Sequence, residues 1–165
     1  MFKVKNIRTG NIEQALSVFC DEYGKAWFLF WVGEKWAWRP ADNYCPPNYT
    51  PKKRVIVAGS RNFNNYQQLK EVLDARKDSI KEIVSGCAKG ADILGETWAI
   101  KNEIPIKKFP ADWQANGAAA GYIRNHAMGD YADELIAFWD GKSSGTCDMI
   151  DYMSRLLKPV EVIHF

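Results

Sequence analysis

The sequence predicts an α/β fold: a Rossmann-like parallel sheet of about five strands with helices on both faces, preceded by a small aromatic-rich β module. Three observations carry this reading. From residue 54 onward, short apolar runs alternate with helical patterns, the grammar of a parallel sheet covered on both sides. Four turns bearing glycine, serine or acidic residues directly follow apolar runs: Gly59-Ser60-Arg61, then 85–92, Pro110-Ala111-Asp112-Trp113, and 140–146. The first 45 residues instead read as hairpins, with four of the seven tryptophans between positions 27 and 38.

The N-terminal module, 1–45, offers strands at 3–7, 15–19, 27–32 and 35–38, the last two joined by a Gly33-Glu34 turn. The tryptophans read as the core of a module too small to bury much else. A stacking platform for bases is the competing reading, weakened here because basic residues are sparse. Both faces of 27–32 are apolar, so cover on both sides is expected, from the neighbouring domain or a second chain. Residues 46–53, with Pro46, Pro47 and Pro51, form a linker, because proline removes a donor and favours extended chain. The run Lys52-Lys53-Arg54 reads as a solvated approach to the first strand, with phosphate binding as the lesser alternative.

The 54–165 domain takes its strands from 55–58, 82–84, 105–109, 135–139 and 160–163. Helical patterns lie between them at 66–77, 90–102, 118–128 and 146–157. Right-handed crossovers gather the strand C-terminal ends along one edge. Ligands bind at that edge where strand order reverses. With the common order 3-2-1-4-5, the turns at 59–61 and 140–146 face each other across that point. Glycine-rich turns opening helices converge backbone N–H groups and suit an anion.

The bulk numbers narrow the function classes. A hydrophobic fraction of 47% and a charged fraction of 25% belong to a soluble globular chain. No apolar run approaches the roughly 20 residues that span a bilayer, and the N-terminus lacks a signal-peptide h-region. A cytoplasmic setting and no membrane partner are therefore expected. A formal charge of +2 does not by itself imply a polyanion. Cys20, Cys45, Cys87 and Cys147 form no C-x-x-C pair, and the chain has two histidines, His126 and His164. No metal site is expected, and the thiols read as reduced.

Val57-Ala58-Gly59-Ser60-Arg61, Ser85-Gly86-Cys87-Ala88-Lys89-Gly90-Ala91-Asp92, Ala120-Gly121-Tyr122-Ile123-Arg124-Asn125 and Asp140-Gly141-Lys142-Ser143-Ser144-Gly145-Thr146 resemble the SLOG superfamily, most closely its YspA-like branch. That superfamily also takes in the Lonely Guy phosphoribohydrolases and the DNA-processing A proteins. The resemblance covers about 54–165, leaves the N-terminal module unrecognised, and implies binding of a nucleotide or nucleotide-derived ligand, with no cofactor.

Within these motifs Ser60 and Arg61 offer a hydroxyl and a fork of donors suited to phosphate. A pair between Arg61 and Asp92 or Asp140 is the alternative. Ser85, Gly86, Lys89, Gly90 and Asp92 belong to a second anion cradle. Asp92 either contacts a ribose or stabilises the helix it opens, and Lys89 reads as solvated. Trp113 either stacks on a base or packs against 118–120. Asp140, Gly141, Ser143, Ser144, Gly145 and Thr146 form the turn nearest a phosphate. Arg124 and Asn125 lie on the adjoining helix, where His126 reads as exposed or hydrogen-bonded and, farther on, Cys147 as inert.

In the phosphoribohydrolases a catalytic arginine opens an R-x-x-x-M stretch, and Arg124 to Met128 has that spacing. Their glutamate, in G-x-G-T-x-x-E, is replaced here by Met149, and Asp148 stands one residue early. One residue is roughly 100° around a helix, a poor position for a catalytic carboxylate. The expectation is therefore a protein that senses, sequesters or carries an adenine nucleotide or ADP-ribose-like compound. The alternatives are an N-glycosidic or phosphoribosyl hydrolase using Arg124 with Asp148 or Asp140, and a single-stranded nucleic-acid binder. Self-association into a homo-oligomer is also expected.

Overall fold

A computed structural model describes residues 1–48 and 51–165. Residues 49 and 50, inside the expected linker, lie outside the described residues. The chain divides into two compact units, Met1–Pro51 and Lys52–Phe165.

The first unit contains β1 (Phe2–Asn6), β2 (Ile12–Ala15), β3 (Ser17–Cys20), β4 (Ala26–Val32), β5 (Lys35–Pro40) and β6 (Tyr44–Cys45). They form two antiparallel three-stranded sheets, β2-β1-β6 and β3-β4-β5. The expected strand at 15–19 is in fact two strands in different sheets. Ala15, fully buried, pairs with Phe2 of β1, whereas Ser17 pairs with Leu29 of β4. Between them the Leu16 N–H donates to the Leu29 carbonyl at 2.8 Å, so the chain changes partners at that residue.

Val4, Ala15, Phe30 and Tyr44 make the small core, with Phe28 packed against it. The tryptophans do not form this core: Trp31, Trp36 and Trp38 are 54%, 56% and 48% exposed. Side chains alternate along a strand, and Phe28 and Phe30 take the inward positions of β4. Trp27, Leu29 and Trp31 are thereby turned to the opposite side.

The second unit runs β7 (Lys53–Gly59), α1 (Tyr66–Asp74), β8 (Ile80–Ser85), α2 (Ala91–Lys101), β9 (Ile106–Lys108), α3 (Trp113–Asn116), α4 (Ala120–Tyr131), β10 (Glu134–Trp139), α5 (Ser144–Arg155) and β11 (Val160–His164). Its five strands are parallel, in the order β11-β10-β7-β8-β9. This is the expected 3-2-1-4-5 order read from the other edge, with β7 and β10 adjacent at the reversal.

Alternation along the central strands builds the two faces. Val55, Val57, Ile136 and Phe138 meet Leu69, Leu73 and Trp98 of α1 and α2. Ile56, Leu135 and Ala137 meet Met128, Met149 and Met153 of α4 and α5. The expected helix at 118–128 is divided differently. Asp112 accepts from the Ala115 N–H at 2.9 Å and starts α3, and Gly117, with φ of 48°, ends it. A short 3-10 turn then leads into α4. Among the described residues no helix is long and apolar enough to cross a membrane.

Candidate functional site at the C-terminal edge of the sheet

A cavity of about 600 Å³ opens at the C-terminal ends of β7 and β10, walled by the turns that follow them and by α4. Gly59 and Ser60 bring these two strands together. A Cβ on Gly59 would strike the Phe138 carbonyl, so glycine is what lets the strands approach. The Ser60 N–H donates to that same carbonyl at 2.9 Å. Its buried hydroxyl accepts the Asp140 N–H at 3.1 Å. Ser60 thus ties the turn after β7 to the turn after β10. Arg61, one residue on, is exposed, lines the cavity and makes no ion pair among the described residues. The expected alternative, a pair with Asp92 or Asp140, is not formed.

The turn after β8 differs from the anion cradle expected of it. Asp92 Oδ2 accepts the Gly86 N–H at 3.0 Å and the Ala88 N–H at 3.4 Å. The Cys87 N–H goes to Ser85 Oγ at 3.0 Å. A carboxylate of the protein itself therefore occupies the donors that a bound anion would need. Ser85 is buried, donates to Glu96 at 2.6 Å, and stands outside the cavity lining. Gly86, exposed Lys89 and Gly90 are also outside it.

Asp92 is 3% exposed. Burial pushes its pKa up to about 6, against the pull of Arg124 and of the N–H groups of Ala88 and Gly86. Desolvation here outweighs the charge partner, because burial penalises the ionised form directly.

Arg124 of α4 donates through Nη1 to the Gly86 carbonyl and through Nε to Asn125 Oδ1 at 3.1 Å. Asn125 in turn donates through Nδ2 to the Gly145 carbonyl at 2.9 Å and to Asp148 Oδ2 at 3.0 Å. Both ends of its amide are committed to protein groups, so the structure gives Asn125 a positioning role between α4 and α5. Asp148 also meets His126 Nε2 at 3.3 Å and does not line the cavity. The expected catalytic pairing of Arg124 with Asp148 is not assembled, because Asp148 points into the α4–α5 seam.

The carboxylates lining the cavity among the described residues are Asp92 and Asp140. The N–H groups of Ser143 and Lys142, then Ser60, hold Asp140 down to about 2. So low a pKa suits a fixed anion and not a proton carrier near neutrality. Met149, where the phosphoribohydrolases have glutamate, is 1% exposed and forms part of the cavity floor.

The turn after β10 is built around Asp140, whose Oδ1 accepts from Lys142 N at 3.0 Å and Ser143 N at 2.9 Å. Ser143 then caps α5: its Oγ accepts from Thr146 Oγ1 at 3.0 Å and more loosely from Thr146 N at 3.4 Å. Ser144 and Gly145 follow as the first residues of α5 and line the cavity. Their N–H groups have no intrahelical acceptor, as the geometry of a helix start requires. Gly141, with φ of 75°, shapes the turn without lining the cavity.

Residues 53–115 match the profile of the YspA, cpYpsA-related SLOG family. That match falls within the second unit, from the start of β7 into α3. Among solved structures, DNA processing protein A from Streptococcus pneumoniae is similar in fold, with a TM-score of 0.58 at 17% identity. That likeness covers 67% of this chain and 50% of the pneumococcal one, so the chain spans about half that protein's length. DNA processing protein A from Helicobacter pylori, whose structure is described for its single-stranded DNA binding mode, gives a TM-score of 0.49 at 22% identity, over 68% of this chain and 65% of that one. No curated protein matches the chain.

Two aromatic rings line the cavity. Trp113, 54% exposed, opens α3 beside its Asp112 cap, and its Cη2 lies 3.5 Å from where a Cβ would stand on Gly121. Tyr122, 43% exposed, lines the same cavity and was not among the expected site residues. Lys142 and Asn62 were also missed. Lys142 had a readable signal, a cation inside the turn nearest the expected phosphate. Asn62 had none.

His126 stacks on Tyr152 with ring centroids 3.9 Å apart. Burial and Asp151 push the Cys147 thiol pKa up, which matches an inert cysteine.

Proposed function

We propose that the second unit binds a nucleotide-derived small molecule, an adenine nucleotide or an ADP-ribose-like compound, with a phosphate at the start of α5. The observation that carries this reading is the division of donors among the turns. The cradle after β8 is filled by Asp92, whereas Ser144 and Gly145, whose N–H groups have no intrahelical partners, line the cavity. Arg61, from the turn after β7, and Lys142, from the turn after β10, add positive charge to the cavity lining. A helix N-terminus with such donors favours an anion. Trp113 and Tyr122 offer π-faces for a base, and about 600 Å³ lies within the range of small-molecule sites. Met149 in the glutamate position and the sequestered Asp148 support holding the nucleotide over cleaving it.

A second reading is a single nucleic-acid strand threading the same cavity. The comparisons support this more than they support a free nucleotide, because the fold-level neighbour is described as a DNA processing protein. The formal charge of +2 weighs against an extended phosphate track.

Calorimetric titration with AMP, ADP-ribose and an oligonucleotide at two salt concentrations separates the two. The expected result is mononucleotide binding with shallow salt dependence, weakened about tenfold or more by Arg61→Ala through loss of a charged hydrogen bond. Oligonucleotide binding that is tighter than mononucleotide binding and falls steeply with salt would reverse the order of the two readings.

A further inference from the structure

The sheet β3-β4-β5 carries an aromatic face that its own core does not use. We infer that this face docks a second copy of the chain about a two-fold axis. The register sets Phe19 opposite Trp27, Leu29 opposite Trp38, and Trp31 opposite Trp36. Directly opposed residues in a sheet point to the same side, so these six side chains share one face. Phe19, Trp31, Trp36 and Trp38 are each about half exposed, at 52%, 54%, 56% and 48%. Their rings already pack in pairs, Phe19 with Trp38 at 5.9 Å and Trp31 with Trp36 at 4.6 Å between centroids.

Charge distribution selects the occupant. The register places no charged residue on this face between its two hairpin turns. A nucleic-acid strand needs cations interleaved with the rings to track its phosphates, and none is there. Aromatic enrichment with charge confined to the margin is the composition of a protein–protein interface core.

The margin carries charges of both signs, Asp21, Glu22 and Lys25 around one turn and Glu34 with Lys35 at the other. At one end Lys25 stands over the Trp27 ring at 5.2 Å; at the other lies Glu34, in the turn between β4 and β5. An in-plane two-fold axis crossing the strands lays the 33–34 turn of one copy over the 21–25 turn of the other. Lys25 of each copy then meets Glu34 of its mate, twice per dimer. Packed sheets of this kind align within about 30°.

The size fits a modest dimer. Aromatic side chains bury about 150–250 Å² each, so the exposed halves of four rings give on the order of 800 Å² over two copies. The flanks of Trp27 and Leu29 bring the total near the ~1,000 Å² at which specific interfaces begin.

Light scattering on the full chain across a concentration series tests this, with circular dichroism to check folding. The expected result is a monomer–dimer equilibrium that Trp36→Ser shifts to monomer. Lys25→Glu and Glu34→Lys should each weaken the dimer by about three- to tenfold, and the two together should restore it. A monomer at every concentration overturns the inference. So does a dimer indifferent to Trp36→Ser, or a double swap that fails to restore association. Quenching of tryptophan fluorescence by an oligonucleotide, abolished by Trp36→Ser and without dimerisation, overturns it in favour of nucleic acid.

Discussion

Gly90→Ala is expected to destabilise the second unit by about 2–5 kcal/mol, from left-sided backbone strain and overpacking together. Gly90 has φ of 85° and ψ of −128°, a region that glycine enters freely and alanine does not. A Cβ there would strike the Ser60 carbonyl and stand 3.0 Å from Arg61 Cα. That carbonyl cannot retreat cheaply, because it accepts the Phe63 N–H at 3.0 Å and so holds the turn after β7. Phe63 itself is 2% exposed and stacks on Phe138 at 4.5 Å. The strain therefore reaches both the core and the cavity wall that carries Arg61. Urea unfolding followed by tryptophan fluorescence measures the loss. A change under about 1 kcal/mol, within ordinary surface-substitution scatter, would contradict the close approach of α2 to the first turn.

Asp92→Asn is expected to alter how stability depends on pH. The Asp92 carboxyl pKa is about 6 in the folded domain against 3.8 for the free side chain. Between those values the native state holds a proton that the unfolded chain has released. Stability from this group is therefore full below about pH 4 and lost as pH rises through 6. The loss amounts to about 3 kcal/mol by pH 7, taking 1.36 kcal/mol for each tenfold change in proton affinity.

Asparagine keeps an acceptor for the Gly86 and Ala88 N–H groups but cannot ionise. Relative to the wild type, the variant should gain on the order of 3 kcal/mol between pH 4 and pH 7. Asp74, Asp133 and Asp140, all with lowered pKa values, pull the wild-type curve the other way. They cancel in the difference between the two proteins. A difference that stays flat across this range would mean that Asp92 is not held in a desolvated site.

The strand order of the second unit was legible because each apolar run carries enough length and turn chemistry to mark a βα unit. The convergence of the 59–61 and 140–146 turns followed from that order alone. Which donors remain open in those turns was not legible. That depends on whether a side chain of the protein fills them, and Asp92 fills its own turn while Asp140 fills only the first half of another. Sequence position could not place Asp148 in the α4–α5 seam, since its direction is set by Asn125 and His126 across the gap.

In the first unit the difficulty was period. Residues 27–32 are apolar on both sides, so alternation alone could not say whether Phe30 or Trp31 faced inward. Tyr44 and Val4 decide it by packing with Phe30. Likewise, the alanine-rich stretch 118–120 favours helix by propensity, yet Gly117 places a break just before it.

Amide chemical shifts of the isotope-labelled chain, followed while AMP, adenosine and inorganic phosphate are added in turn, test the binding site most directly. AMP is expected to move the Ser144 and Gly145 amides most, with Trp113 and Tyr122 responding alongside. Phosphate alone should move the first pair, and adenosine alone should leave them in place. Shifts that leave Ser144 and Gly145 unmoved, or that centre on the Gly86 and Ala88 amides, would contradict a phosphate site at the start of α5.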